Sequence, residues 1–139
     1  MFRMRRLLPA VLFAVASVLL LSACKQQAVL PAVPGNPAPA VTLKDIAGGT
    51  RHLSDYAGKV VILDFWATWC GPCREAVEEL KILHTTYADR GVVVIGISLD
   101  KGGDAGEKVR TFAEQHGMNY LLLVDDGSAY ESYGIARIP

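Results

Sequence analysis

Apolar residues along this chain fall into runs of contrasting period. Val60-Val61-Ile62-Leu63-Asp64-Phe65-Trp66 is almost continuously apolar and rich in β-branched and aromatic side chains. Gly58-Lys59 bounds it on one side and a Gly-Pro dipeptide on the other, which predicts a central strand covered on both faces. From Pro72 the period lengthens: Val77, Leu80, Leu83, His84 and Tyr87 recur near every 3.6 residues, with Arg74, Glu75, Glu78, Glu79 and Lys81 at the other positions. This spacing predicts an amphipathic helix that ends before Gly91. Val92 to Ile97 repeats the buried-strand signature, Ala105 to His116 reads as a second helix stopped by Gly117, and Tyr120 to Val124 reads as another strand. Val41 to Leu43, followed by the turn Ala47-Gly48-Gly49, predicts an opening hairpin or irregular segment. Two β-α-β units in series imply a parallel sheet with right-handed crossovers, hence an α/β fold.

The N-terminal pattern is of another kind. Met1 to Arg6 is basic, Leu7 to Leu21 is uncharged and mostly apolar, and Leu21-Ser22-Ala23-Cys24 closes the run with small residues before a cysteine. This is the layout of a secretory signal peptide over residues 1–23. The uncharged stretch from Leu7 to Ala23 would span only about 25 Å as a helix, short of a hydrocarbon core of about 30 Å. An uncleaved signal anchor is the competing reading and a poor fit to that length. Leu-Ser-Ala-Cys also resembles the lipobox of bacterial lipoproteins, which implies lipidation at Cys24 and a domain held at the cell envelope, facing the periplasm or the exterior. From Lys25 to Ala40 four prolines in sixteen residues leave neither helical nor strand periodicity. Residues 24–40 are expected to form a semi-rigid tether of up to roughly 50 Å, and residues 41–139 the folded domain.

Charge narrows the partners. The whole chain has 14 basic and 14 acidic residues. Without Arg3, Arg5 and Arg6 the 14 basic residues fall to 11 against 14 acids, a formal charge of −3. A nucleic-acid binder needs a basic face to neutralise phosphates, so nucleic acid is not an expected partner.

Two of the three cysteines carry the chemistry. Trp69-Cys70-Gly71-Pro72-Cys73 sits where the Val60–Trp66 strand gives way to the helix. A thiol at a helix N-terminus meets unpaired amides and the positive end of the dipole, which stabilise a thiolate and lower its pKa from about 8.5. Cys70, the outer residue, is the expected nucleophile, and Cys73, one turn further in, the resolving thiol. Zinc is disfavoured because no second C-x-x-C follows and His52, His84 and His116 lack finger-like spacing. Haem attachment would need histidine at position 74, where the chain has arginine. A purely structural disulfide in so short a loop adds little stability. No metal and no cofactor are expected.

VVILDFWATWCGPC, from Val60 to Cys73, resembles the active-site segment of the thioredoxin superfamily. Pro37-Ala38-Pro39, Val41-Thr42-Leu43, the Gly-Gly-Thr turn and Leu53-Ser54-Asp55 before Gly58-Lys59 are similar to the N-terminal extension of its TlpA/ResA-type exported thiol-disulfide oxidoreductases. Tyr133-Gly134-Ile135 with Ile138-Pro139 resembles the approach to the superfamily's cis-proline. The resemblance implies a thioredoxin-like fold with an N-terminal extension, interrupted at Pro139 where the family continues with two strands and a helix. The chain is therefore expected to be part of a longer product, in which the strands from Val60 and Tyr120 would otherwise lack neighbours. It also implies a substrate groove formed by Trp69, Gly71, Pro72, Ile138 and Pro139.

Position 76, where TlpA/ResA-type proteins often carry a glutamate, is alanine here. Conversely, Asp64 matches the buried aspartate of thioredoxin, and desolvation in an apolar strand raises a carboxyl toward the range useful for proton transfer. Asp64 is accordingly assigned that role for Cys73; a strand residue satisfied by a neighbouring amide is the plainer alternative. His84 reads as a helix-face residue, and Trp66 and Trp69 as packing and surface elements. The combined expectation is a membrane-tethered oxidoreductase that reduces protein disulfides and is recharged by a transmembrane electron donor. The alternatives are a non-catalytic module that captures metals or apocytochrome thiols, and an inactive fragment.

Overall fold

A computed structural model describes residues 33–139. The signal segment, the lipidation candidate Cys24 and the first part of the tether lie outside the described residues. The chain forms β1 (Thr42–Asp45), β2 (Thr50–His52), a 3-10 turn (Leu53–Tyr56), β3 (Val60–Trp66), helix α1 (Gly71–Tyr87) and a further 3-10 turn (Ala88–Arg90). It continues with β4 (Val92–Ser98), helix α2 (Ala105–His116), β5 (Leu121–Val124) and a short helix α3 (Ser128–Ser132). The five strands make one sheet in the order β2-β1-β5-β4-β3. β3, β4 and β5 run parallel, and the β1–β2 hairpin adds antiparallel to β5 through Lys44 opposite Val124.

The parallel strands bury side chains on both faces. On one face Trp66, Val94 and Leu122 pack with Val77 of α1 and Val109, Phe112 and Ala113 of α2. On the other, Ile95, Ile97 and Leu123 meet Val41 and Leu43, with Val61, Leu63 and Phe65 packed alongside. Ile97 and Val94 are fully buried, and each such aliphatic side chain contributes about 1.5–3 kcal/mol relative to exposure. Helix α1 ends through a 3-10 turn closed by Gly91 at φ 81°, a left-handed position that suits glycine.

Three expectations need correction. β3 is not central: its partner is β4 alone, its other edge faces no strand among the described residues, and most of its side chains are half-buried where those of β4 are buried. The segment from Tyr120 does not lack neighbours, because the N-terminal hairpin supplies β1 on the side away from β4. The end of the presumed tether belongs to the domain: Pro39 is buried, and its carbonyl accepts a hydrogen bond from the Tyr133 hydroxyl at 3.2 Å.

Candidate active site at the carboxyl edge of the sheet

β3, β4 and β5 deliver their carboxyl ends to one edge of the sheet, where loops collect functional groups in open α/β folds. Cys70 follows β3 there, Asp100 follows β4 and Asp125 follows β5. Cys70 is the N-cap residue of α1, with extended backbone, and its Sγ accepts a hydrogen bond from the Cys73 amide at 3.3 Å. Pro72 lies in the first turn, where a missing N–H costs no helical bond. Cys70 and Cys73 are joined as a disulfide, their Cα atoms 5.3 Å apart.

The helix N-terminus therefore directs an amide at Cys70 Sγ, and the positive end of the helix dipole favours negative charge at the same atom. No acidic residue stands in the first turn to oppose it. Trp69 is 68% exposed beside the pair, Pro72 is exposed and Gly71 half-buried. Cys70 is not the more open cysteine: it is 3% exposed and Cys73 6%. Its cover comes from the C-terminal residues, since the Pro139 carbonyl oxygen lies 3.5 Å from Cys70 Sγ and Ile138 packs against the cluster that holds both cysteines. The Ile138–Pro139 bond is trans, against the cis form that the resemblance implies. Trans is the preferred X-Pro isomer by about 0.5–1 kcal/mol.

Asp64 sits on β3 opposite Gly96 of β4. Alternation along β3 places it on the same face as Trp66, the face that packs with Cys73, Val77 and Tyr120. Burial pushes its carboxyl above the ordinary carboxylate range. Ala76 is half-buried on α1, whereas Glu75 and Glu78 are exposed. Among the described residues no three His, Cys, Asp or Glu side chains gather to hold a metal ion.

Residues 34–139 match the AhpC/TSA family. The chain belongs to that family. Among curated relatives it is 32% identical over 105 residues to the thioredoxin-like protein YneN of Bacillus subtilis, covering 76% of this chain and 61% of that protein. It is 32% identical over 106 residues to the thiol-disulfide oxidoreductase ResA of Geobacillus thermodenitrificans, covering 76% of this chain and 59% of that protein. The chain thus spans about three fifths of the length of those two relatives. In structure it is similar to the thioredoxin domain of a thiol-disulfide oxidoreductase from Bacteroides vulgatus, with a TM-score of 0.70, 28% identity and 78% coverage of each chain. The fold is thioredoxin-like.

Within this fold the sequence pattern missed the groups that hold the redox loop. Asp100, buried just past β4, accepts the Thr68 amide at 2.9 Å, the Thr68 hydroxyl at 2.6 Å and the Ser98 hydroxyl at 2.7 Å. Thr68 is two residues before Cys70, so a carboxylate 32 positions away fixes the approach to the dithiol. The available signal was positional: an acid directly after a buried parallel strand. Tyr120 and Gly96 were missed as well, and no local motif marks either.

Proposed function

We propose that this chain carries the redox domain of a membrane-tethered, extracytoplasmic oxidoreductase that reduces protein disulfides. The observation that carries the reading is the Cys70–Cys73 pair at the N-terminus of α1, with the Cys73 amide aimed at Cys70 Sγ. Starting from the dithiol, the Cys70 thiolate attacks one sulfur of a substrate disulfide and forms a mixed disulfide, and one substrate thiolate departs. Cys73 then gives its proton to Asp64, and the Cys73 thiolate attacks Cys70 Sγ. The second substrate thiolate leaves and takes up the proton from Asp64. Two electrons have passed to the substrate, and Cys70 and Cys73 are joined as in this structure.

Each turnover leaves the domain oxidised, so a donor of two electrons must restore the dithiol. In an extracytoplasmic compartment that donor is a membrane protein passing electrons outward. Leu21-Ser22-Ala23-Cys24 supports a diacylglyceryl anchor at Cys24, and the prolines before Pro39 support a spacer between membrane and domain. Trp69, Gly71, Pro72, Ile138 and Pro139 border the dithiol and are the surface offered to a substrate chain.

The test is a trap. The reduced Cys73→Ser variant of the full chain, mixed with a disulfide-bonded protein, is expected to accumulate an adduct through Cys70 that dithiothreitol releases. No adduct, together with no disulfide reduction by the unsubstituted chain, would sink the proposal. The anchor is tested separately: Cys24→Ser should abolish lipid attachment and membrane partitioning, and an unmodified thiol at Cys24 in the membrane-derived protein would refute it.

A further inference from the structure

Besides Asp125 Oδ2, three buried polar atoms that play no part in the scheme above have no hydrogen-bond partner among the described residues: the Tyr120 hydroxyl, Trp66 Nε1 and His84 Nδ1. Buried hydroxyls are rarely left unpaired, and these atoms belong to one layer. A Cβ on Gly96 would stand 3.2 Å from Tyr120 Cε2 and 3.0 Å from Trp66 Nε1. The Tyr120 ring and the indole edge therefore fill the hollow that this glycine leaves. Gly96 is the register partner of Asp64, and paired residues on neighbouring strands send their side chains to the same face. Asp64 borders that hollow from β3, while Tyr120 enters it from the start of β5. His84 arrives from α1, its ring centroid 6.5 Å from that of Tyr120. β4 brings no titratable group there, only Gly96; the two cysteines lie on the same face, and from α2 His116 stacks on Phe112, which packs against Trp66.

We propose that the Tyr120 hydroxyl donates a hydrogen bond to the Asp64 carboxylate and is thereby a positioning residue for the proton that Asp64 exchanges with Cys73. Burial, followed by the Asp64 charge, pushes the Tyr120 phenol above its ordinary value, so the hydroxyl keeps its proton and remains a donor. The inference rests on the proton role given to Asp64, but its test reads the two side chains directly.

The experiment uses the oxidised full chain, in which neither cysteine titrates. Aspartate carboxyl carbons labelled with 13C report the Asp64 midpoint, and Tyr120→Phe keeps the ring while removing the donor. A hydrogen bond to the ionised form is lost, so the Asp64 midpoint is expected to rise by about one pH unit. A midpoint that stays in place or falls overturns the proposal. Should the phenylalanine variant not fold, the unsubstituted chain decides: the Tyr120 Cζ resonance must move with the Asp64 midpoint. A Tyr120 signal that ignores that midpoint, or follows only the His84 ring, overturns the proposal equally. If the coupling is seen while Asp64→Asn leaves disulfide turnover intact, the proton role of Asp64 fails and the Tyr120–Asp64 pairing stands.

Discussion

Asp100 grips Thr68 at two points, taking its backbone amide at 2.9 Å and its hydroxyl at 2.6 Å. Both partners are remote in sequence, and the contact closes the carboxyl end of β4 onto the loop that leads into Cys70. Hydrogen bonds to a buried ionised group are each worth about 1.5–3 kcal/mol, and donors left behind without a partner add to the loss. Asp100→Ala is therefore expected to lower stability by about 2–4 kcal/mol. Thr68→Val, which removes only the hydroxyl bond, should lose about 1.5–2 kcal/mol. Urea denaturation of the two single variants and the double variant measures the coupling; strict additivity would mean that the pair does not act as a unit.

Gly96 is favoured for a steric reason independent of backbone freedom. A methyl group there would lie 2.9 Å from Leu122 Cδ2 and 3.0 Å from Trp66 Nε1, closer than side-chain contacts tolerate. Overpacking of a filled core costs about 1–3 kcal/mol. Gly96→Ala should show a loss of that size in urea denaturation, together with a change in near-UV circular dichroism as the indole moves. An unchanged transition midpoint would mean that the layer has slack.

The alternation of strands and helices was legible because each element carries its own period, 2 or 3.6, in a local stretch of residues. The dithiol was legible for a related reason: Cys70, Gly71, Pro72 and Cys73 are contiguous, and their chemistry follows from a helix start that Pro72 marks. Partnerships across the sheet left no such trace. Nothing near Val60 tells which of its edges is covered, and nothing near Tyr120 tells that Thr42–Asp45 will reach β5. Asp100 looks like an ordinary loop acid until the parallel register brings Ser98 beside Trp66 and places Thr68 within its reach. Cys70 reads as the outer residue of the pair, and nothing local tells that Ile138 and Pro139 will return over it.

Asp64 gives stability a distinctive pH dependence. Burial raises its folded-state pKa above the ordinary carboxyl value of about 3.9, so the native chain binds the proton more tightly than the unfolded chain does. The stabilisation from this protonation is fully present below the unfolded pKa and is lost as pH rises through the folded one. Unfolding free energy should thus carry a downward contribution with rising pH, beginning near pH 4 and ending above the folded pKa. Asp64→Asn removes that slope and is more stable than the unsubstituted chain at neutral pH. Urea titrations of both chains at a series of pH values check the sign, and parallel curves would show that Asp64 titrates alike in the two states.

Cys70 and Cys73 differ in what faces each sulfur, and that difference predicts unequal reactivity once the disulfide is reduced. The Cys73 amide points at Cys70 Sγ at 3.3 Å, and the orphan amides of the first turn of α1 add to the positive potential there. An ordinary thiol, with a pKa of about 8.5, is only a few per cent thiolate at pH 7, whereas a thiol at a helix N-terminus falls to about 3.5–7.5. Ionisation alone then favours Cys70 by roughly tenfold or more at neutral pH, less the lower intrinsic nucleophilicity of the more acidic thiolate. Access modifies the absolute rates, because Pro139 covers Cys70 and Ile138 packs against the pair. The pH dependence of the rate separates the two effects, since steric cover lowers the plateau without moving the midpoint. In the Cys73→Ser variant, iodoacetamide should react at Cys70 with a midpoint below 8. In the Cys70→Ser variant, Cys73 should react with a midpoint close to the ordinary thiol value, because its sulfur lies one turn into the helix, away from the orphan amides that face Cys70. Coincident midpoints would remove the basis for naming Cys70 the nucleophile.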